Sequence, residues 1–202
     1  MITVVNYGMG NLGSVANMLK KVGATCEIAD SETQVAAAAK ILLPGVGRFD
    51  MAMARLNQLG WVEPLRDKAR SGTPILGICL GMQLFADHSE EGDVAGLGLI
   101  PGDVRRFRFD GQTPLRVPHM GWNRVRIHKR HPLIQGLDEN AKFYFVHSYC
   151  FQCREPDDCL LTTPYGEHFS SAVQRDNVMG MQFHPEKSHR YGMLLLKNFA
   201  EL

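Results

Sequence analysis

The feature that most constrains the fold is a regular alternation of short apolar runs with helix-like segments through the first half of the chain. The apolar runs are rich in β-branched residues, as buried strands are: ITVVNY (2–7), CEIA (26–29), ILLP (41–44) and PILGI (74–78). Segments with helical character separate or follow them: 12–22, 31–39, 51–71 and 80–87. Because strands that alternate with helices pair in parallel, this half predicts an α/β fold with helices on both faces of a parallel sheet.

Helix ends are marked by residues with strong positional preferences. Asn11 precedes the first helix as a candidate N-cap, and Gly23 follows it. The long segment 51–71 contains Gly60 and Pro64, which predict an interruption around these two residues.

The second half of the chain has a different pattern, with apolar runs joined by turns rather than by helices. The predicted strands lie in segments 116–127, 142–149, 159–163 and 170–183. They indicate an antiparallel extension of the sheet, followed by a last helix with Ser188 as its N-cap. No repeat, low-complexity tract or linker divides the chain, so residues 1–202 are predicted to form a single domain.

The charge balance predicts no strong electrostatic field around the whole protein. The 22 basic and 21 acidic residues give a net charge of +1, so no long-range field attracts nucleic acid or an anionic membrane. The first charged residue is Lys20, and the polar, glycine-containing segment before it fits neither a signal peptide nor a membrane span. The cysteine count is odd, at five, so we expect reduced thiols and a cytoplasmic protein.

A candidate nucleophile lies in the sequence Gly77-Ile-Cys79-Leu-Gly81, where the fourth strand gives way to a helix. A nucleophile at a sharp strand-to-helix turn has a strained backbone, and the residues two positions away must be small for the turn to close. The backbone N–H of Leu80 and the helix N-terminus then favour a thiolate. The alternative is a small buried cysteine beside structural glycines.

A candidate base and its orienting acid lie near the end of the chain, in QFHPEKS (182–188). His184 and Glu186 are two positions apart, so in an extended segment they point to the same side, and Pro185 disfavours helix at His184. The carboxylate can then hold the imidazole while the other ring nitrogen faces a thiol. The alternative is a surface loop with an incidental ion pair.

A candidate oxyanion loop follows the third strand, in LLPGVGRFD (42–50). Gly45 and Gly47 can present a backbone N–H beside that of Leu80, as acyl transfer requires. The alternative is a plain turn at the end of a strand. The order of loop, nucleophile, base and acid differs from that of α/β-hydrolases, in which the acid precedes the histidine.

Three of these blocks together resemble the signature sequences of the class I, triad-type glutamine amidotransferases: LLPGVGRFD, GICLGMQ and GMQFHPEKS. Three further stretches are similar to the branch of that family that serves histidine biosynthesis: VVNYGMGNLGSV (4–15), VPHMGWNRV (117–125) and YFVHSY (144–149). The resemblance covers nearly the whole chain, and the clearest departure from it is CFQCREPDDC (150–159).

The resemblance implies a flavodoxin-like fold and hydrolysis of the side-chain amide of glutamine. Cys79 would attack the amide carbon, His184 would move the proton, and Glu186 would orient His184. The resemblance also implies an oxyanion hole from the backbone of Val46, Gly47 and Leu80. It implies substrate contacts from Gly47, Gln83, Ser148 and Tyr149.

The same resemblance implies a heterodimer in which ammonia passes to a cyclase subunit with a (β/α)₈ barrel. Candidate interface residues are Asn11, Trp122 and Lys187. No cofactor and no metal are expected. Three alternatives stay open: the glutaminase subunit of another synthase, a γ-glutamyl hydrolase on the same scaffold, and a non-catalytic binding module. The last would need a missing triad member, and all three are present in the sequence.

A zinc site is the main competing interpretation of CFQCREPDDC (150–159), the segment that departs from the family pattern. Cys150, Cys153 and Cys159 lie close in sequence, with His147 nearby. Structural zinc sites usually use two paired knuckles, and only one pair is present here. Cys150 and Cys153 would also lie on opposite faces of a continuing strand. Three arginines, Arg105, Arg106 and Arg108, are expected to form a solvated face near Arg116.

Overall fold

The computed structural model describes residues 1–109 and 115–202. The helices are α1 (Leu12–Lys21), α2 (Glu32–Ala37), α3 (Phe49–Gln58), α4 (Val62–Arg70), α5 (Leu80–Gln83) and α6 (His189–Glu201), with single 3₁₀ turns at Pro132–Ile134, Pro156–Asp158 and Pro185–Lys187. Within the described ranges, none of the helices combines the length and the apolar character needed to cross a bilayer.

The strands are, in chain order, β1 (Ile2–Val5), β2 (Cys26–Ala29), β3 (Ile41–Gly45), β4 (Ile75–Cys79), β5 (His88–Ser89), β6 (Val94–Ala95), β7 (Gly102–Arg106), β8 (His119–Arg124), β9 (Arg126–Ile127), β10 (Lys142–His147), β11 (Tyr149–Cys153), β12 (Cys159–Tyr165), β13 (Glu167–Arg175) and β14 (Val178–Met181). The main sheet has the order β2-β1-β3-β4-β14-β13-β11-β7-β5-β6, with β12 and β9 joined to β13 off this path. Strands β8 and β10 form a separate antiparallel pair.

The two halves of the sheet differ in direction, as the sequence predicted. Strands β2, β1, β3, β4 and β14 run parallel to one another. The pairs β14–β13, β13–β11 and β11–β7 are antiparallel. Strands β1, β3, β4 and β14 of the parallel half are buried along their whole length, which explains why they are continuous apolar runs rather than alternating ones. The predicted α/β architecture with an antiparallel extension is therefore confirmed. The expectation that segments 116–127 and 142–149 belong to this extension is wrong for β8 and β10, which form a separate two-stranded sheet.

Two apolar cores lie on opposite faces of the sheet, and successive strand residues alternate between them. Val5 and Leu43 pack in the core that α2, α3 and α4 cover. Val4 and Leu42 pack in the core that α1 and α6 cover. This alternation is the period of two expected of strands, and it places helices on both faces.

The helix ends agree with the sequence in part. Asn11 caps α1 as predicted, because its side-chain oxygen accepts a hydrogen bond from the Ser14 N–H at 3.2 Å. Gly60, with φ +73°, separates α3 from α4. The prediction that Pro64 also interrupts a helix is wrong, because Pro64 lies in the first turn of α4. An N–H in that turn has no intrahelical acceptor, so proline removes no bond there.

Two element boundaries and one helix cap also differ from the sequence predictions. The helix predicted over 80–87 ends at Gln83. The single segment 170–183 is a hairpin, because Asp176, with φ +48°, turns the chain between β13 and β14. Ser188 holds the N-cap position of α6 but does not cap it: its hydroxyl donates to the His184 carbonyl at 2.6 Å and accepts from the Tyr144 N–H at 3.1 Å.

Candidate active site

The predicted elbow is present at the end of β4. Cys79 has φ +55° and ψ −110°, a conformation that L-residues rarely adopt, and α5 begins at the next residue. A Cβ placed on Gly81 would lie 1.9 Å from the Leu43 carbonyl oxygen, and a Cβ on Gly77 would lie 2.6 Å from the Gly81 oxygen. The backbones therefore approach so closely around the thiol that neither flanking position has room for a side chain.

The candidate base reaches the thiol because β14 lies beside β4. The two strands pair in parallel with Met181 opposite Ile78, so their carboxyl ends meet at one edge of the sheet. Nδ1 of His184 lies 2.8 Å from Oε1 of Glu186, and the two side chains are only 3% and 4% exposed. The sequence prediction that these two residues form a pair is thus confirmed, and the pair is buried rather than on the surface.

The electrostatics of the pair favour an imidazolium beside the sulfur. Burial alone lowers the pKa of His184, but interactions with Cys79 and with Glu186 outweigh it and raise the pKa to about 9. Since Nδ1 is bonded to Glu186, the interaction with the sulfur falls to Nε2. That atom is buried and has no hydrogen-bond partner in the part of the chain that the structure describes, so it is available to the sulfur. At neutral pH the site therefore favours a protonated His184 beside the sulfur of Cys79.

The backbone around the base is fixed by the small β8–β10 sheet. The His184 N–H donates to the Tyr144 carbonyl of β10 at 2.9 Å. The Ser188 hydroxyl bridges the Tyr144 N–H and the His184 carbonyl. The sequence predicts Ser188 as a helix cap, and this other role depends on the contact of the loop with β10, which local sequence does not show.

The predicted oxyanion and substrate residues line one cavity of about 330 Å³ together with Cys79 and His184. Glu186 is not among the lining residues, consistent with its position behind His184. The other lining residues are Val46, Gly47, Leu80, Gln83, Glu91, Pro118, Val146, His147, Ser148 and Tyr149. Glu91, Pro118, Val146 and His147 were not predicted as site residues.

The oxyanion loop lies directly beside the thiol. Gly45 pairs with Cys79 at the end of the β3–β4 ladder, and the chain then continues through Val46 and Gly47. Gly47 has φ +116°, and Val46 is 44% exposed. Leu80 is the first residue of α5, where a backbone N–H has no intrahelical acceptor and is free to bind a ligand oxygen.

Gln83 is held by hydrogen bonds inside the protein. Its Nε2 donates to the Tyr149 carbonyl at 3.0 Å and to Oε1 of Gln182 at 2.8 Å. Gln182 is fully buried, and its own Nε2 lies 3.7 Å from Sγ of Cys79. Gln182 was not predicted as a site residue, although it lies within the QFHPEKS segment.

Two buried histidines form a chain of hydrogen bonds that ends at the Tyr149 carbonyl. Nδ1 of His147 lies 2.7 Å from the Tyr149 oxygen, and Nε2 of His147 lies 3.0 Å from Nδ1 of His119. A carbonyl oxygen only accepts, so the proton of His147 is on Nδ1 and its Nε2 accepts from His119. Burial lowers the pKa of His119 to about 4 and that of His147 to about 3, so both rings are neutral at pH 7.

Both ring nitrogens of His147 make hydrogen bonds inside the protein, so neither is free to bind a zinc ion. Cys150 and Cys153 lie three positions apart on β11, and therefore on opposite faces, as predicted. Within the described residues, 1–109 and 115–202, no group of three His, Cys, Asp or Glu side chains lies close enough together to bind a metal ion. The expectation of a metal-free protein stays a prediction.

Two of the three predicted interface residues meet at Tyr144, whose carbonyl accepts the His184 N–H. Trp122 is 48% exposed, stacks on His189 with ring centroids 5.2 Å apart, and contacts the edge of Tyr144. The exposed Lys187 places its ammonium 5.7 Å above the Tyr144 ring. Asn11 is exposed at the start of α1 and makes neither contact. Tyr144 therefore connects two exposed candidates to the backbone of the base.

The arginine-rich segment agrees with a solvated face. Arg105 pairs with Asp103, and Arg108 pairs with Glu90, in ion pairs whose arginine side chains are largely exposed. Such pairs contribute little to stability and leave little uncompensated charge for an anion.

Comparison with known proteins agrees with this geometry. The family model described as "Glutamine amidotransferase class-I" matches residues 3–202. A protein of Pseudomonas aeruginosa named "Imidazole glycerol phosphate synthase subunit HisH 2" is 49% identical, over 100% of both chains. A protein of Bdellovibrio bacteriovorus named "Imidazole glycerol phosphate synthase subunit HisH" is 48% identical, again over 100% of both chains.

A solved structure shows the same fold at low sequence identity. The structure of PurLQS from Thermotoga maritima superposes with a TM-score of 0.72 at 16% identity, covering 99% of this chain and 97% of that one.

Proposed function

Because the chain belongs to the class-I glutamine amidotransferase family, we propose that it is the glutaminase subunit of an imidazole glycerol phosphate synthase. The observation that carries the proposal is a cysteine at a strained elbow beside a buried His184–Glu186 pair, at the carboxyl ends of neighbouring strands. The names of the two full-length relatives support this subunit over the glutaminase of another synthase. The intact triad argues against a non-catalytic binding module.

In the first half-reaction, Sγ of Cys79 attacks the side-chain amide carbon of glutamine. The negative charge that develops on the amide oxygen is taken by the Leu80 N–H and by the peptide at Val46 and Gly47. His184 starts as an imidazolium, so it can donate a proton to the departing nitrogen. Ammonia leaves, and a γ-glutamyl thioester remains on Cys79.

In the second half-reaction, the now neutral His184 accepts a proton from water as the water attacks the thioester. The oxyanion forms again in the same hole, and its collapse expels the thiolate and releases glutamate. Glu186 holds Nδ1 of His184 throughout, so Nε2 always faces the reacting atoms.

The cavity offers groups for both ends of glutamine. Glu91 is the carboxylate that lines it, and one of its oxygens already accepts the Phe49 N–H, so the other can bind the α-ammonium group. Ser148 and Tyr149 also line the cavity, as expected for contacts to the amino-acid end. Gln83 uses both hydrogens of its amide inside the protein, so its Oε1 can accept from the substrate amide.

The ammonia is delivered to a cyclase subunit with a (β/α)₈ barrel, where it is used to form imidazole glycerol phosphate and an aminoimidazole carboxamide ribotide. The partner covers the surface formed by Trp122 and Lys187, which both contact Tyr144, a residue two positions before the cavity-lining Val146 in β10. We place the complex in the cytoplasm, since the five cysteines are free thiols.

The test is Cys79→Ala in the reconstituted complex with the cyclase. Glutamine-dependent synthesis should be lost, whereas synthesis from added ammonium salt should continue at the wild-type rate, because free ammonia bypasses the thiol. Equal loss of both activities in a folded complex would mean that Cys79 has a structural role. A γ-glutamyl hydrolase, by contrast, would be fully active on its substrate without any cyclase.

A further inference from the structure

We propose that Gln182 is a further catalytic group of this site, whose side-chain amide donates a hydrogen bond to Sγ of Cys79 and stabilises the thiolate. The inference rests on the proposed function in one respect only, namely that this sulfur is the reacting atom.

The position of Gln182 is set by the sheet rather than by a loop. It follows directly after β14, and its backbone N–H donates to the Ser171 carbonyl of β13 at 2.9 Å. Because β14 lies beside β4, the side chain is carried to the thiol, with Nε2 3.7 Å from Sγ. The residue has no exposed surface, so water cannot substitute for its partners.

The hydrogen-bond network determines which end of the amide faces the sulfur. The oxygen and nitrogen of an amide side chain must be assigned from their partners. The Tyr149 carbonyl can only accept, so the Gln83 atom that contacts it is the nitrogen. The second hydrogen of that nitrogen points at Gln182, which must therefore present its oxygen there. The nitrogen of Gln182 is then left facing Cys79.

A buried donor in this position discriminates between the two states of the sulfur. A thiolate accepts a hydrogen bond far better than a thiol does, so the donor lowers the free energy of the charged form. His184 approaches the same sulfur, so an imidazolium and a neutral amide donor share the charge. When the thioester breaks down, the sulfur regains its charge, and the donor stabilises the leaving thiolate again.

The experiment measures the thiol directly, with the full-length chain and without glutamine. Alkylation of Cys79 by iodoacetamide is followed against pH in wild type and in Gln182→Met, with peptide mass mapping to separate it from the other four cysteines. Methionine has a similar length and no donor. The alkylation midpoint should rise by roughly one pH unit, and the rate well below the midpoint should fall about tenfold.

A matched control is available in the same chain. Nε2 of the exposed Gln152 lies 3.5 Å from Sγ of Cys150, which does not line the active-site cavity. Gln152→Met should leave the Cys79 midpoint unchanged. If Gln182→Met does not fold, Gln83→Leu decides the matter: it removes the donor that orients Gln182 and should raise the midpoint by a smaller amount.

An unchanged Cys79 midpoint in folded Gln182→Met would overturn the proposal, as would an equal rise in Gln152→Met. A purely structural role for Gln182 would lower stability without moving the midpoint. The measurement needs neither substrate nor cyclase. Failure of the glutaminase proposal, seen as no glutamine hydrolysis by the wild-type complex, is therefore distinguishable from failure of this one.

Discussion

Replacement of Gly81 by alanine tests directly whether the backbone packing around the thiol is as tight as the structure indicates. The added Cβ would lie 1.9 Å from the Leu43 carbonyl oxygen and 2.9 Å from the Leu43 carbonyl carbon. Leu43 is in the middle of β3 and pairs with Gly77 of β4, so it cannot move away alone. Relief requires either β3 or the start of α5 to shift by more than 1 Å, since real Cβ contacts below 3.0 Å essentially do not occur.

The expected cost follows from two opposing terms. Overpacking a buried site costs about 1–3 kcal/mol and more where backbone must move, so the upper end applies here. Alanine gains about 1 kcal/mol over glycine in a helix, which offsets part of this cost. We expect Gly81→Ala to lower the free energy of unfolding by about 2 kcal/mol or more, a large fraction of the roughly 5–15 kcal/mol typical of a domain.

Urea unfolding followed by circular dichroism measures the effect. With an m value of about 2 kcal/mol/M, the midpoint should fall by about 1 M while m stays constant. Gly13→Ala is the matched control, because a Cβ on Gly13 in α1 meets no atom within 4 Å. That variant should be more stable than wild type by about 0.5–1 kcal/mol. A Gly81→Ala midpoint equal to or above that of wild type would refute the packing argument.

Three further predictions concern the triad, a buried histidine and the surface formed by Trp122 and Lys187. His184→Ala should reduce kcat for glutamine hydrolysis more than Glu186→Gln does, because the histidine moves the proton and the acid only orients it; equal losses in folded variants would contradict these roles. Burial lowers the pKa of His147 to about 3, so histidine NMR at pH 5 should find it neutral with the proton on Nδ1. Because the unfolded chain binds a proton on this histidine more readily than the folded protein does, the free energy of unfolding should fall as pH drops below 6.5, the ordinary pKa of histidine. A protonated His147 ring at pH 5 in folded protein would show the assignment to be wrong. Lys187→Ala or Trp122→Ala should weaken stimulation of glutaminase activity by the cyclase by several-fold with little change in unfolding midpoint, and an isolated chain as active as the complex would exclude this coupling.

The first half of the fold was predictable largely because β1, β3 and β4 are buried on both faces, whereas β2 is only partly buried. Such strands read as short apolar runs, and β1 to β4 lie within the predicted segments apart from a residue at the end of β3 and of β4. Strand β7, with the sequence GDVRR, gave no such signal, since only Gly102 and Val104 in it are buried. Its place in the sheet comes from pairing with β11, a long-range contact that local pattern does not encode.

Local preference was also misleading where the position within an element decided its meaning. Proline ends helices in their interior but is tolerated in the first turn, and the sequence of segment 51–71 alone did not fix whether Pro64 was in one or the other. Ser188 has the right residue type for an N-cap, yet its hydroxyl bonds to Tyr144 and His184. These two hydrogen bonds take the place of a bond from the Ser188 hydroxyl to the N–H groups at the start of α6.

The site was predictable where residue types repeat a known chemical spacing. Cys79 between glycines and the His184–Glu186 pair both have such spacing, and the structure brings them together. Gln182 and His147 have none: a glutamine and a histidine in strand-like sequence are uninformative by themselves. The position of Gln182 depends on β14 lying beside β4, and that of His147 on the Tyr149 carbonyl, which Gln83 contacts as well.

The insertion of β14 between β4 and β13 has a consequence for the chain while it is being made. Synthesis proceeds from the N-terminus, so the elbow at Cys79 leaves the ribosome about a hundred residues before His184. Until then the strand next to β4 is missing, and the thiol has neither its base nor the Gln182 amide. A nascent chain therefore carries Cys79 without the side chains that adjoin it in the folded protein, and they reach it only when β14 completes the centre of the sheet.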